Sequence, residues 1–368
     1  MLHVTYDDRL FTFQRRGGPA RYFSELIAEF RATPDLGIEV NTPFTFVETE
    51  YLLGGDSRYR RLPLPESRFR MQAARAANRV RRGPGRKKAE LLHHTQYSSA
   101  GLHMPAQARI CTVYDMIPEI FPEIFVGRGP IPHRQKASYV HACDAIACIS
   151  ESTKADMLAH YGDIDKPVVV TPLGADSRFF AATPDRRESP GFVLFVGTRE
   201  FYKNFDVLLR ALARIAEDGV APRLLCIGGP PLTPAEQERI ADLGLDGLVD
   251  QRDASDAELP GLYAAAMCLV FPSRYEGFGL PTVEAFAAGC PVVLANMVCA
   301  VEVGGDAALY FEADDHETLA TTIARFAADP ASRDPWIRAG RSRAQDFTWQ
   351  RTARATAALY QSVARNTR

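Results

Sequence analysis

At 368 residues the chain is too long for one ordinary hydrophobic core, and two domains of roughly 150–190 residues are expected. Hydrophobic side chains make up 46% and charged ones 24%, the balance of a soluble globular protein, and a formal net charge of -2 excludes a chain that binds polyanions over its whole surface. Seven cysteines, at 111, 143, 148, 226, 268, 290 and 299, fall mostly in apolar runs without a Cys-x-x-Cys pair, so buried free thiols in a reducing cytosol are expected rather than a disulfide framework or a zinc site.

Taken in chain order, MLHVTY reads as a strand, RRGGP as a loop, and ARYFSELIAEF as a helix with Tyr22, Phe23, Leu26, Ile27 and Phe30 at helical spacing. The N-terminal MLHVTYDDRL lacks the apolar core of a secretory signal, and no run of about 18 apolar residues occurs, so a cytoplasmic protein that does not span a membrane is expected. LLHHT, ARICTVYDMI and DAIACIS follow as strands, ESTKADMLAHYG as a helix opened by Ser152 or Thr153, and KPVVVTPLG as the last strand of the first half. Residues 175–191 are rich in proline and charge, lack periodicity, and read as a linker.

The second half repeats the alternation. GFVLFVG is a strand, FDVLLRALARIAEDG a helix and RLLCIGG a strand; TPAEQERIADLGL is a helix whose Thr233 and Glu236 have the spacing of a capping box. AAAMCLVF is a buried strand, Pro281 opens a short helix that Gly289 stops, and PVVLA and DAALYFE are further strands before a run of helices from Asp315. This pattern predicts two doubly wound parallel sheets, in residues 1–178 and 179–346, with the terminal helix 347–368 packed back on the first domain.

Three loops at strand ends repeat one chemical theme. Gly17-Gly18-Pro19 lies between the first strand and helix, where small residues let a backbone approach phosphate; a plain turn is the alternative. VGTREFYKN (196–204) offers Arg199 and Lys203 beside a helix start, suited to charge on a diphosphate leaving group. FPSRYEGFGLPTVEAFAAGCPVV (271–293) places Glu276 on a glycine-rich loop and Glu284 one turn into the next helix, both facing the crevice at the strand ends. Free N–H groups at that helix start suit phosphate, and the carboxylates suit hydroxyls. Either glutamate alone reads as a helix-start acid or a tight-turn residue; the pair with both glycines and Pro281 points to a ligand.

Other chemistries find no support. There is no G-x-x-x-x-G-K-[ST] loop and no G-x-S-x-G elbow. Asp7-Asp8 and Asp314-Asp315 are isolated acidic pairs, and His93 and His94, adjacent on a strand end, point opposite ways. Neither a metal nor a cofactor is expected. Between Arg58 and Lys88, 12 Lys and Arg stand in 31 residues against one acid, Glu66. The segment SRFRMQAARAANRVRR reads as a helix with an arginine-rich face, either solvated or in peripheral contact with anionic lipid or a lipid-linked diphosphate acceptor. Nucleic acid is not expected, since no aromatic platform accompanies it.

In order and spacing, these motifs resemble family 4 of the retaining glycosyltransferases, bacterial polysaccharide type, with the GT-B fold of two Rossmann-like domains facing across a cleft. The most specific part is the E-x7-E motif, Glu276 to Glu284; RRGGPARYF, FVGTREFYKNF, TPLG, DASDAELPGLYAAA and the closing FTW helix are also similar. The resemblance implies that Glu276 contacts the donor sugar, that Glu284 binds the ribose, and that Gly277, Phe278, Gly279 and Leu280 hold sugar and phosphate through their N–H groups. It further assigns the diphosphate to Arg199 and Lys203, the donor and acceptor junction to Gly17 and Gly18, and the base to the neighbourhood of Arg252. Where many family members carry His-Asp, this chain has Tyr114-Asp115, with His94 as a neighbour on the sugar or acceptor side. A tyrosine donates a hydrogen bond but does not become cationic.

What the family implies is a metal-independent, retaining hexosyltransferase that moves a sugar, mannose from GDP-mannose being the first choice, to a saccharide or lipid-linked saccharide in cell-surface polysaccharide synthesis. The enzyme would be cytoplasmic, peripheral on the inner membrane face. A UDP-sugar donor, a GT-B epimerase and a non-catalytic nucleotide-sugar-binding protein remain the alternatives.

Overall fold

The apolar runs form two six-stranded parallel sheets, and helices supply the crossovers that parallel pairing requires. The computed structural model describes all residues except 54–55, 82–87, 99, 127–131, 186–190, 220 and 367–368. Two units emerge, Met1–Leu173 with Trp349–Arg368, and Gly174–Thr348.

In the first unit, strands β1 (Leu2–Tyr6), β2 (Ile38–Asn41), β3 (Ala89–His94), β4 (Ala106–Val113), β5 (Ala145–Cys148) and β6 (Val168–Val170) lie in the order β2-β1-β3-β4-β5-β6. Helices α1 (Gly18–Ala32), α2 (Arg68–Arg81), α3 (Lys136–Ala142) and α4 (Glu151–Tyr161) belong to it, as does the C-terminal helix Trp349–Asn366, which packs against α1, β1, β3 and β5. The cap of α4 differs from expectation: Ser150, not Ser152 or Thr153, accepts the Thr153 N–H, because its extended backbone after β5 aims the hydroxyl at the third amide of the helix.

Register sorts the first sheet into two faces. Thr5 lies beside Asn41 and Leu92, and His3 beside Glu39, so these residues and Glu90 share one face while Val4, Tyr6, Leu91 and His93 share the other. On the second face the Tyr6 and Tyr360 hydroxyls bond at 2.9 Å, Tyr360 meets His93 Nδ1 at 2.6 Å, and His93 Nε2 meets Thr112 at 2.8 Å. This chain of bonds fastens the C-terminal helix to the sheet. Burial drives the His93 pKa down to about 3, so the ring is neutral.

In the second unit, β7 (Val193–Val196), β8 (Leu224–Ile227), β9 (Val249–Arg252), β10 (Cys268–Phe271), β11 (Val292–Ala295) and β12 (Leu309–Phe311) are ordered β12-β11-β10-β7-β8-β9. The helices used below are α5 (Phe205–Glu217), α6 (Pro234–Asp242), α7 (Leu259–Ala265) and α8 (Leu280–Ala288). α6 carries both bonds of the Thr233/Glu236 capping box. α8 lies between Gly279 and Gly289, both left-handed at φ 90° and 76°, and Pro281 takes its second position rather than its first. Ala264 and Ala265, expected in a strand, end α7 instead. Within the expected linker, Ser177–Phe180 is a helical turn capped by Asp176; residues 186–190 lie outside the described ones. All seven cysteines are buried and free.

Candidate functional site

In each sheet the chain leaves a central strand in one direction, returns, and continues in the other. The reversal falls between β7 and β10 in the second unit and between β1 and β3 in the first. At such a point the loops after the two strands part, and their carboxyl ends form a crevice suited to a ligand.

The β7–β10 reversal unites part of the expected set. The loop after β7 ends in a helical turn, Phe201–Lys203, and Asn204 in a left-handed conformation (φ 52°), its amide donating to Ala313 O at 2.6 Å. That turn sends the Lys203 ammonium to Glu276 Oε1 at 2.5 Å, close to the rings of Tyr202 and Phe271. The loop after β10 is pinned to it by the Arg274 N–H, which donates to Tyr202 O at 2.7 Å. Further on, Glu284 is buried in α8 and accepts from the Tyr263 hydroxyl at 3.2 Å. Gly279 precedes α8 with no side chain capping the helix, and a Cβ at Gly279 would stand 3.3 Å from the Phe271 ring. Phe278 is buried against Phe347, and Cys299 donates to its carbonyl. Leu280 opens α8 beside Gly277, Phe278 and Gly279, so the expected N–H donors form one short stretch.

Arg199 goes elsewhere. Its side chain, 2% exposed, donates through Nε to Glu236 at 2.7 Å and through Nη2 to Pro230 O at 2.6 Å, bracing the loop after β7 against the loop that leads into α6. Burial would raise the Glu236 pKa, but the Arg199 and Thr233 bonds outweigh it and hold the carboxyl below its usual range. Gly229 permits this approach, since its φ is 73° and a Cβ would lie 3.2 Å from Gly197 O. Arg252 ends β9 at the sheet edge, with β7 and β8 between it and β10, and its Nη1 lies 3.4 Å from Asp253 O.

The β1–β3 reversal holds a second constellation. His94 Nδ1 stands 3.3 Å from Asp7 Oδ2, and Thr95 donates to Asp7 Oδ1 at 2.6 Å. Burial pushes the Asp7 pKa up, yet the bonds from His94, Thr95 and the Arg9 N–H together hold it below the usual carboxylate range. The His94 ring meets Tyr139 edge-on, and its buried Nε2 has no hydrogen-bond partner among the described residues. Tyr114 donates to Thr95 O at 3.2 Å, and burial raises its hydroxyl pKa well above the ordinary range. Asp115 Oδ1 accepts the Ile117 N–H, while its carbonyl accepts from Lys136, a fully buried lysine paired with Glu119 at 2.7 Å. Gly17 precedes α1 at φ 144°, and Gln14 rather than a side chain of its own caps the helix, accepting the Ala20 N–H at 2.9 Å. Gly18 opens α1, and a Cβ there would meet nothing.

The family model "Glycosyltransferase Family 4" matches residues 16–179, and "Glycosyl transferases group 1" matches residues 176–343. The chain belongs to glycosyltransferase family 4. It is 28% identical over 227 residues to the O-antigen chain mannosyltransferase B of Escherichia coli, covering 58% of this chain and 60% of that protein. It is 32% identical over 247 residues to a D-inositol 3-phosphate glycosyltransferase of Corynebacterium efficiens, covering 60% and 57% respectively. The chain thus spans well under two thirds of the length of these curated relatives. A sucrose-phosphate synthase structure from Thermosynechococcus elongatus aligns over 98% of this chain and 99% of its own with a TM-score of 0.72 at 20% identity, which shows the fold. The fold is GT-B.

For this family 4 chain, sequence reasoning missed Asp7, Lys136, Tyr263 and Glu236. Asp7 had a signal, being the first residue past β1, and Glu236 had one as a capping-box acid, though not for its bond to Arg199. Lys136, Tyr263 and Glu236 lie 17 to 37 positions from the partners they serve, and only the fold brings them there.

Proposed function

We propose that the chain transfers a sugar from a nucleotide diphosphate sugar to a saccharide hydroxyl. The Lys203–Glu276 pair at the β7–β10 reversal carries this reading. Its ammonium is placed to take up charge as the diphosphate departs, aided by the N–H groups that open α8, while Glu276 grips sugar hydroxyls. Glu284, held by Tyr263, takes the ribose hydroxyls. With charge stabilisation as the main device, attack on the face that the diphosphate leaves needs no protein nucleophile, and the anomeric configuration is retained. Arg199 holds the loop through Nε and Nη2, and its buried Nη1, without a partner among the described residues, is left for the diphosphate. In the first unit, Tyr114, Asp115 and His94 belong to the sugar or acceptor side.

Mannose from GDP-mannose is the favoured donor, supported by the likeness to an O-antigen chain mannosyltransferase. A UDP-linked hexose is the second reading. A thermal-shift panel of nucleotide sugars tests both, because a ligand at 100 times its Kd stabilises by about 2.7 kcal/mol. The preferred donor raises Tm and supports transfer with retained configuration; a panel without any shift or transfer removes the proposal.

A further inference from the structure

A parallel sheet is ordinarily covered on both faces. Among the described residues, the face of β2, β1 and β3 that bears His3, Thr5, Glu39, Asn41, Glu90 and Leu92 instead lines an open groove of about 1240 Å3. The sequence is built for this exposure: β1 alternates buried Leu2, Val4 and Tyr6 with His3 and Thr5, and the His3 and Glu39 side chains are 60% and 58% exposed. His3, Glu39 and Glu90 lie at the starts of their strands, and the groove runs from there along β2 to Phe44 and Thr45 past its end.

The rim is cationic. Arg58, Arg60, Arg81 and Lys88 border the groove. Arg58 is spent on Asp56, but Arg60, Arg81 and Lys88 are exposed and pair with no acid among the described residues. Other arginines of the same basic stretch turn inward: Arg70 makes a bidentate pair with Glu48 at 2.6 and 2.7 Å, and Arg75 donates to Thr12 and to Arg9 O. The two carboxylates on the floor are engaged at the start of β1, Glu39 by the His3 ring at 3.2 Å and Glu90 by the His3 N–H at 3.1 Å. Those bonds leave both carboxylates charged, so three rim cations stand against two floor anions, and the positive surplus is confined to the rim.

Shape and chemistry narrow the occupant. The volume exceeds the roughly 300–1,000 Å3 that holds one small ligand, which favours an oligomer. The floor offers hydroxyl and amide groups from Thr5, Asn41 and Thr42, partners for sugar hydroxyls. A flat lipid surface cannot enter a concavity, whereas a chain can. We propose that the groove binds an extended, negatively charged oligosaccharide, its acidic groups held by Arg60, Arg81 and Lys88 and its hydroxyls by the exposed sheet face.

The test is direct binding to the full chain, read by fluorescence anisotropy of a labelled short oligogalacturonate, with neutral malto-oligosaccharide, inorganic phosphate and phosphatidylglycerol vesicles as comparators. Binding that weakens with salt, is absent for the neutral chain, and falls about tenfold in Arg60→Ala/Arg81→Ala/Lys88→Ala is expected. The double variant Arg60→Lys/Arg81→Lys, with Lys88 kept, should retain binding, and Lys203→Ala should leave it unchanged. Equal binding by the alanine variant overturns the proposal, as does displacement by phosphate at equal concentration. Vesicle binding that the alanine variant loses, without oligosaccharide binding, overturns it in favour of a membrane surface. Nucleotide-sugar shifts measured on the same samples keep a failed groove distinct from a failed transferase reading.

Discussion

Lys203 and Arg199 stand four positions apart on one loop and look interchangeable in sequence, yet their side chains do different work. The turn at Phe201–Lys203 sends Lys203 to Glu276, while Arg199 is drawn into the Glu236 cap of α6. Replacing Lys203 with Met should lower kcat by about 10²–10³, the usual cost of one leaving-group donor, with a native circular dichroism spectrum. Arg199→Met should act through stability first. Its effect and that of Glu236→Gln should be strongly non-additive, with a coupling of about 0.5–3 kcal/mol in a double-mutant cycle read by urea unfolding. Additive losses would mean that the two side chains do not depend on each other.

At the scale of elements, strands whose residues are apolar in sequence were legible, the edge strands β6 and β12 included, and the two polar edge strands were not. β2 (IEVN) and β9 (VDQR) went unread, and both lie at a sheet edge where half-exposed polar residues suffice. The α6 capping box was legible because both its residues are local. Thr233→Ala should cost about 1 kcal/mol and lower Tm by about 2–4 °C in differential scanning calorimetry. The close approach at Gly229 was not legible, since nothing near it in sequence announces Gly197; Gly229→Ala forces a Cβ into left-handed backbone and should destabilise by more than the Thr233 change.

For the whole chain, pH is the most direct probe of how the C-terminal helix is held. His93 stays neutral in the fold down to about pH 3 but takes up a proton near 6.5 when unfolded. Between those values the unfolded state binds more protons, so stability rises with pH: the contribution is complete above 6.5 and is lost toward 3 at about 1.4 kcal/mol per pH unit. Asp7, with its folded pKa lowered below 3.8, adds a loss of the same sign at lower pH. In a Trp336→Phe background, where Trp349 reports the first unit, urea midpoints should fall steadily from pH 7 to 4, and His93→Gln should flatten that slope. A slope unchanged by the substitution would place the titrating group elsewhere.

The sequence by itself determined the parallel strand–helix alternation, the loops at the strand ends and the E-x7-E spacing, because each depends on residues within a turn or two of one another. Tertiary structure alone decided that His94 meets Asp7 across 87 positions, that Arg199 braces α6, and that a groove with a cationic rim lies on a sheet face left open among the described residues. Those outcomes depend on which strands become neighbours and in what register, and the free energy that selects a register is summed over the whole buried sheet rather than written in any local stretch.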